Sequence, residues 1–257
     1  MSDFFSVEHP IRFAHRGSSI LWPENTMFAF NAAVEQHDYR YLELDVHLSA
    51  DRVPMVLHDS KLDRTTDGSG PIAARDMVAL KQLDAAYLFD SEHDYPMRDT
   101  GITIPTLDEV YRAWPEARVN IDLKTSGEEW AVAEVIRAND AEHRTMVGSF
   151  VDGRISRFRR ITGGTVAVSA GPRTAIKLWA SSRFGMTRRL PVQAYQVSDS
   201  YTGFSVDRRF VAAVHRAGAQ IHVWTVNEAS EMKRLLGMGV DGIITDRPDL
   251  LNEVLDS

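Results

Sequence analysis

The chain has 257 residues, 44% hydrophobic and 25% charged, with a formal net charge of -7 and no cysteine. Those values suit one large α/β domain or two small ones, able to bury a full core. They exclude disulfides, a thiolate metal site and a cysteine nucleophile, and they argue against nucleic acid or an anionic membrane as the main partner.

The opening stretch MSDFFSVEHPIRF has acids and no basic, apolar leader, and no apolar run is long enough to span a bilayer. The expected location is the cytoplasm. Residues 11–15 read as a short strand that Arg16-Gly17 ends. Pro23-Glu24-Asn25-Thr26 reads as a helix start with Thr26 or Asn25 as cap, and Phe28, Ala32, Ala33 and Val34 follow on that helix.

Residues 39–59 predict a hairpin around Ser49-Ala50-Asp51-Arg52. Tyr41, Glu43, Asp45 and His47 share one parity; Leu42, Leu44, Val46 and Leu48 share the other. Alternate side chains of a strand face opposite ways, so one face is apolar and the other polar. A tip at Ala50-Asp51 sets His58 opposite Glu43, and opposed residues share a face. Two acids and a histidine then converge, which suits a metal with acid/base groups. A strand with a solvated outer face alternates in the same way, so this stretch alone does not decide.

Residues 60–105 lose the pattern. Arg64-Thr65-Thr66-Asp67-Gly68-Ser69-Gly70 is turn chemistry, a short helix is expected over 74–83, and 91–96 has no period. Excursions of this length are often lids or binding loops. From 107 the chain alternates. Helices are expected over 107–114, 130–138, 155–161, 174–180, 206–217, 231–236 and from Pro248. Strands are expected over 119–124, 145–150, 165–169, 192–197, 221–226 and 242–245. With the hairpin counted once, eight strand units predict a (β/α)8 TIM barrel with an insertion after the His58 strand. The whole of 1–257 is then one barrel domain with a small capping insertion at about 60–105. A doubly wound sheet is the alternative. No GxGxxG or GxxxxGK[ST] supports its nucleotide-binding forms.

A barrel's site lies at the C-terminal ends of its strands. Those ends carry His15-Arg16, Asp45, Asp122 to Lys124, Ser149-Phe150, Gln196 and Trp224. Glu43, Asp45 and Asp122 can point into one mouth, and like charges that close call for a hard divalent cation, Mg²⁺ or Ca²⁺. His15 alone more often reads as a structural residue, and Trp224 as core, although a strand-end Trp can wall a pocket. His9, His37, His93, His143 and His215 fall in loops or on helix surfaces.

Successive motifs then resemble one family. They are His15-Arg16-Gly17, Pro23-Glu24-Asn25-Thr26, Glu43-x-Asp45, His58-Asp59, Leu62-x-Arg64-Thr65-Thr66, the strand from Asn120 to Lys124, and Val223-Trp224-Thr225-Val226-Asn227, with Gly239 to Pro248 at the end. Jointly and in this order they resemble the glycerophosphodiester phosphodiesterase family over nearly the whole chain. The resemblance implies a TIM barrel, a divalent metal, and hydrolysis of glycerophosphodiesters to glycerol 3-phosphate and an alcohol. It implies metal carboxylates at Glu43, Asp45 and Asp122, and acid/base histidines at His15 and His58. It further implies phosphate-binding cations at Arg16 and Lys124, and a pocket wall at Trp224. Many members have Glu where this chain has Asp122. An Asp there is also similar to the sphingomyelinase D group, so a phospholipase D-type enzyme acting on lysophospholipid or sphingomyelin is the second reading.

Two other classes stay in view. A non-catalytic phosphate-binding barrel needs the cations but not both histidines. A nucleic-acid phosphodiesterase would want a basic, aromatic-rich stripe. The apolar group Ala79-Leu80, Leu83 and Tyr87-Leu88-Phe89 serves equally to pack the insertion or to meet lipid. The run KLWASSRFGMTRR over 177–189 is the one basic-aromatic stretch able to lie on a membrane, but a solvated face is the commoner case. Small soluble glycerophosphodiesters are therefore the expected partners, without nucleic acid or membrane contact. No oligomeric state follows from the sequence.

Overall fold

Eight strands lie side by side in parallel around a barrel, each followed by a helix on the outside. The computed structural model describes residues 3–187, 189–199 and 205–257; Arg188, within the basic-aromatic run above, lies outside the described residues. β1 (Ile11–His15) leads to α1 (Met27–His37), and β2 (Tyr41–Leu48) is followed by the short antiparallel β3 (Pro54–Val56). The insertion holds a 3-10 turn at Ile72–Ala74, the single-turn α2 (Met77–Leu80) and a second 3-10 turn at Ser91–His93. α3 (Leu107–Ala113), β4 (Arg118–Leu123), α4 (Glu129–Ala138) and β5 (Thr145–Gly148) come next. Then follow α5 (Asp152–Ile161), β6 (Ala167–Val168), α6 (Pro172–Ser182) and β7 (Ala194–Ser198). α7 (Arg208–Arg216), β8 (Gln220–Trp224), α8 (Ala229–Leu236), β9 (Gly242–Thr245) and α9 (Pro248–Asp256) complete the chain.

The strand order is β6-β5-β4-β2-β1-β9-β8-β7, with β3 paired to β2 alone. A parallel bridge between Ser169 and Ala194 joins the two ends of that row and closes the barrel. The predicted (β/α)8 barrel is therefore the fold. Leu42, Leu44 and Val46 of β2 pack outward into the large core under the helices. Tyr41 instead joins Phe4, Phe5, Phe13, Met146 and Ile244 at the lower end of the lumen. The insertion has a small apolar core of its own. Leu62, Ile72, Leu80 and Leu83 pack there with Met55 and Leu57, so the Leu80 and Leu83 pair holds the insertion in place.

Two local expectations are corrected. The helix expected over 74–83 is a 3-10 turn and one α-turn, because Asp76 caps a new start by accepting from the Ala79 amide. The hairpin register is also shifted by one residue: Val46 pairs with Val56 and Leu48 with Pro54, so His58 is not opposite Glu43. Ser49 draws the turn in, its hydroxyl accepting from the Val53 amide at 2.9 Å while Asp51 accepts from the Ser49 hydroxyl. In a continuing strand such a slip would turn His58 to the opposite face. β3 ends at Val56 and the chain bends, which returns His58 to the lumen side.

Candidate active site

A cavity of about 200 Å³ opens at the C-terminal ends of the strands. Its lining contains all eight residues picked from the sequence: His15, Arg16, Glu43, Asp45, His58, Asp122, Lys124 and Trp224. β1 delivers His15. The chain then turns sharply, with Arg16 in left-handed backbone at φ 54° and Gly17 at φ 81°. A Cβ on Gly17 would lie 2.7 Å from the Ala29 Cβ, so the motif requires glycine both for its backbone and for its contact with α1. The Arg16 amide donates to the Glu43 carbonyl at 2.9 Å, which fastens this turn to β2.

The sequence left the cap open between Asn25 and Thr26, and Thr26 takes it. Thr26 caps α1, accepting from the Ala29 amide at 3.1 Å. Asn25, at φ 58°, turns its amide to donate to Asp45 Oδ2 at 2.9 Å.

Asp45 and Asp122 are register partners on β2 and β4, and Glu43 pairs with Asn120 one step below. The Lys124 ammonium stands between the two aspartates, 2.8 Å from Asp45 Oδ1 and 2.7 Å from Asp122 Oδ2. Arg16 Nε lies 3.0 Å from Asp45 Oδ2, and another of its guanidinium nitrogens is 3.1 Å from Glu24 Oε1. As arranged, no three His, Cys, Asp or Glu side chains among the described residues are gathered closely enough to hold an ion. Burial would raise Asp45, but Lys124 and Arg16 outweigh it and hold the carboxyl low. Burial pushes Glu43 up, and the neighbouring Asp45 charge adds to it. Asp122 is likewise raised by burial, against the pull of Lys124.

Each histidine is held by an aspartate. His15 Nδ1 lies 2.8 Å from Asp246 Oδ1, leaving Nε2 directed at Glu43, 3.9 Å away. The Ser19 hydroxyl and the Asn227 amide donate to Asp246 at 2.8 and 3.1 Å and fix it in place. Burial would lower His15, but Asp246 and Glu43 raise it overall. His58 Nδ1 lies 2.6 Å from Asp59 Oδ1, and Arg64 from the insertion donates to the other Asp59 oxygen. Arg64 also grips Glu24 through two 2.8 Å contacts. Burial lowers His58, and Arg16 and Lys124 lower it further against the pull of Asp45.

His47, on the polar parity of β2, is not part of the lining. It is buried beneath His58, with Nε2 3.1 Å from the His58 carbonyl and Nδ1 3.1 Å from Thr125 Oγ1. Sequence reasoning gave no role to Asp246, Asp59 or Asn227. Asp246 follows the last residue of β9, a strand-end position of the kind used for the other candidates, and β9 pairs with β1 next to His15. The opposite wall is apolar: the Phe150 and Trp224 rings meet edge to face at 5.5 Å. Asn120 Oδ1 and Gln196 Nε2 in the lining are buried without a hydrogen-bond partner. Gly148 keeps the cavity open, since a Cβ there would lie 2.9 Å from Ser169 Oγ.

Barrel and cavity together define a TIM-barrel enzyme with acid/base groups and cations facing one small pocket. The chain belongs to the glycerophosphoryl diester phosphodiesterase family, whose model matches residues 15–250. A Mycobacterium tuberculosis protein named probable glycerophosphodiester phosphodiesterase 2 is 36% identical over 253 residues, covering 95% of this chain and 90% of that protein. A glycerophosphodiester phosphodiesterase of Bacillus altitudinis is 34% identical, with 92% and 94% covered. The solved structure of an Oleispira antarctica phosphodiesterase in complex with its product sn-glycerol-3-phosphate has a TM-score of 0.78 and 28% identity, with 97% of this chain and 98% of that one covered.

Proposed function

We propose that the chain hydrolyses small glycerophosphodiesters to glycerol 3-phosphate and an alcohol. The observation that carries this reading is the convergence of two histidine–aspartate pairs on a pocket that also holds Arg16, Lys124 and three carboxylates. A phosphodiester is an anion that resists nucleophiles. Its hydrolysis needs neutralisation of charge, a base for the attacking hydroxyl and an acid for the leaving oxygen. His15 and His58 are the acid/base pair. Nδ1 of each donates to Asp246 or Asp59, so Nε2 is the atom that takes up or gives a proton. Arg16 and Lys124 bind the phosphoryl oxygens, and the Trp224 wall receives the apolar edge of the substrate. Asn120 Oδ1 and Gln196 Nε2 are free to meet substrate hydroxyls. The insertion, through Arg64 on Asp59, caps the mouth and holds His58 in line.

Glu43, Asp45 and Asp122 would hold a divalent cation, Mg²⁺ or Ca²⁺. The set offers only oxygen donors, and burial with the neighbouring Asp45 charge raises Glu43, a group that a nearby cation would stabilise in its charged form. Lys124 already occupies the gap between two of them as a stand-in cation, so an ion competes with it for the same oxygens. When bound, the ion neutralises phosphoryl charge. With Arg16 and Lys124 it leaves the pocket one net positive charge, the complement of a phosphodiester. Turnover on glycerophosphocholine, glycerophosphoethanolamine, lysophosphatidylcholine and sphingomyelin, with and without chelator, tests the reading. The soluble diesters should show the higher kcat/KM. A higher value for either lipid would replace the reading with a phospholipase D-type activity.

A further inference from the structure

Between Thr145 and Ser198 the sequence holds nine of the chain's 29 Lys and Arg residues and one acid, Asp152. A protein of net charge -7 thus carries one strongly basic sector. In the fold this sector includes α5 and α6, which pack side by side on one flank of the barrel. Asp152, the one acid, caps α6: the Thr174 hydroxyl and amide donate to it at 2.6 and 3.2 Å. Arg157 and Arg183 pair with Glu129 and Asp207. Arg159, Arg160, Arg173, Lys177 and Arg189 are exposed, and none has a carboxylate partner among the described residues.

Apolar side chains are interleaved with these cations. α6 turns Arg173, Ile176 and Lys177 outward while Ala175 and Leu178 face the core. Ile176 is 48% exposed, Phe184 78% and Met186 59%, and Val151 at the head of α5 is exposed as well. Single exposed apolar residues are ordinary. Mixed with unpaired cations in this sector, they match the boundary of headgroup and acyl chain in an anionic bilayer. A nucleic acid would favour π faces for its bases, and of these four apolar side chains only Phe184 has one.

We propose that this flank docks the enzyme on an anionic phospholipid surface. The contact is peripheral, since no helix among the described residues is long and apolar enough to cross a membrane. Small diesters remain the substrate, because the catalytic pocket is separate from this surface. Given the proposed function, docking sets the enzyme where deacylation of phospholipids supplies those diesters.

The test is cosedimentation of the full chain with vesicles of equal parts phosphatidylglycerol and phosphatidylcholine, read without turnover, so its outcome is separate from that of the hydrolysis assay. Binding should be strong at low salt, weak at high salt and weak on pure phosphatidylcholine. The triple variant Arg173→Gln, Lys177→Gln, Arg189→Gln should bind ~100-fold more weakly, about fivefold for each cation removed. Phe184→Ser should weaken binding with all the cations kept. Both variants should keep wild-type kcat/KM on glycerophosphocholine, which also reports that they fold. Absence of cosedimentation, equal binding by the triple variant, or tighter binding to a single-stranded oligonucleotide than to the vesicles would overturn the proposal.

Discussion

The two ends of the barrel lumen are made by the same strands and treat charge in opposite ways. At the floor, β1 supplies Phe13, β2 Tyr41 and β8 His222; two residues further along, the same strands supply His15, Glu43 and Trp224 to the mouth. Both ends are largely shielded from water. His222 is wholly buried, 4.9 Å from the Phe13 ring and 5.9 Å from Phe5, with Nε2 on Gln220 Oε1 and no carboxylate paired with it among the described residues. Burial drives its pKa down to about 3, and it stays neutral. His15 is also shielded, yet Asp246 and Glu43 reverse the effect of burial and raise it. What separates the packing histidine of the floor from the one proposed as acid/base at the mouth is the carboxylate beside it.

The sharpest way to break the contrast is to remove charge from the mouth. Exhaustive chelation should abolish hydrolysis of glycerophosphocholine, and added Mg²⁺ or Ca²⁺ should restore it; full turnover in chelator would show that Lys124 and Arg16 suffice. Next in size, His15→Ala and His58→Ala should each lower kcat by ~10²–10⁴-fold. A variant that keeps near wild-type kcat would assign its histidine to packing, like His222.

Changes at the floor should do the reverse. Phe13 is wholly buried among Phe4, Tyr41 and His222, so Phe13→Ala should cost ~3–5 kcal/mol of stability in urea unfolding. The kcat of the folded enzyme should hardly move, and a large loss of kcat with little loss of stability would join the two ends into one functional unit. Near neutrality the smallest effect is a pH slope. Unfolded His222 takes a proton below its ordinary 6.5, while the folded ring resists until about 3. The unfolded state then binds more protons, so stability falls as pH drops through that window, by up to ~1.4 kcal/mol per pH unit. His222→Gln should lose this component in unfolding curves taken across the range; parallel profiles would mean that water reaches the floor.

The alternation of strand and helix after residue 107 was written in the sequence, because periods of two and 3.6 are local properties of the chain. The polar parity of β2 and β4 and the strand-end positions of His15, Asp122, Lys124 and Trp224 were equally local. Other features depended on neighbours distant in sequence. The hairpin register was one, since Ser49 hydrogen bonds moved it by a residue and the bend after Val56 then returned His58 to the lumen. The pairing of Asp246 with His15 was another: 231 residues separate them, and only the closing of β9 against β1 makes them touch. Sequence alone determined which side chains share a face, because the pleat sets that residue by residue. Which of those side chains carry charge was decided by the tertiary structure, because a buried group's ionisation depends on partners brought from other strands.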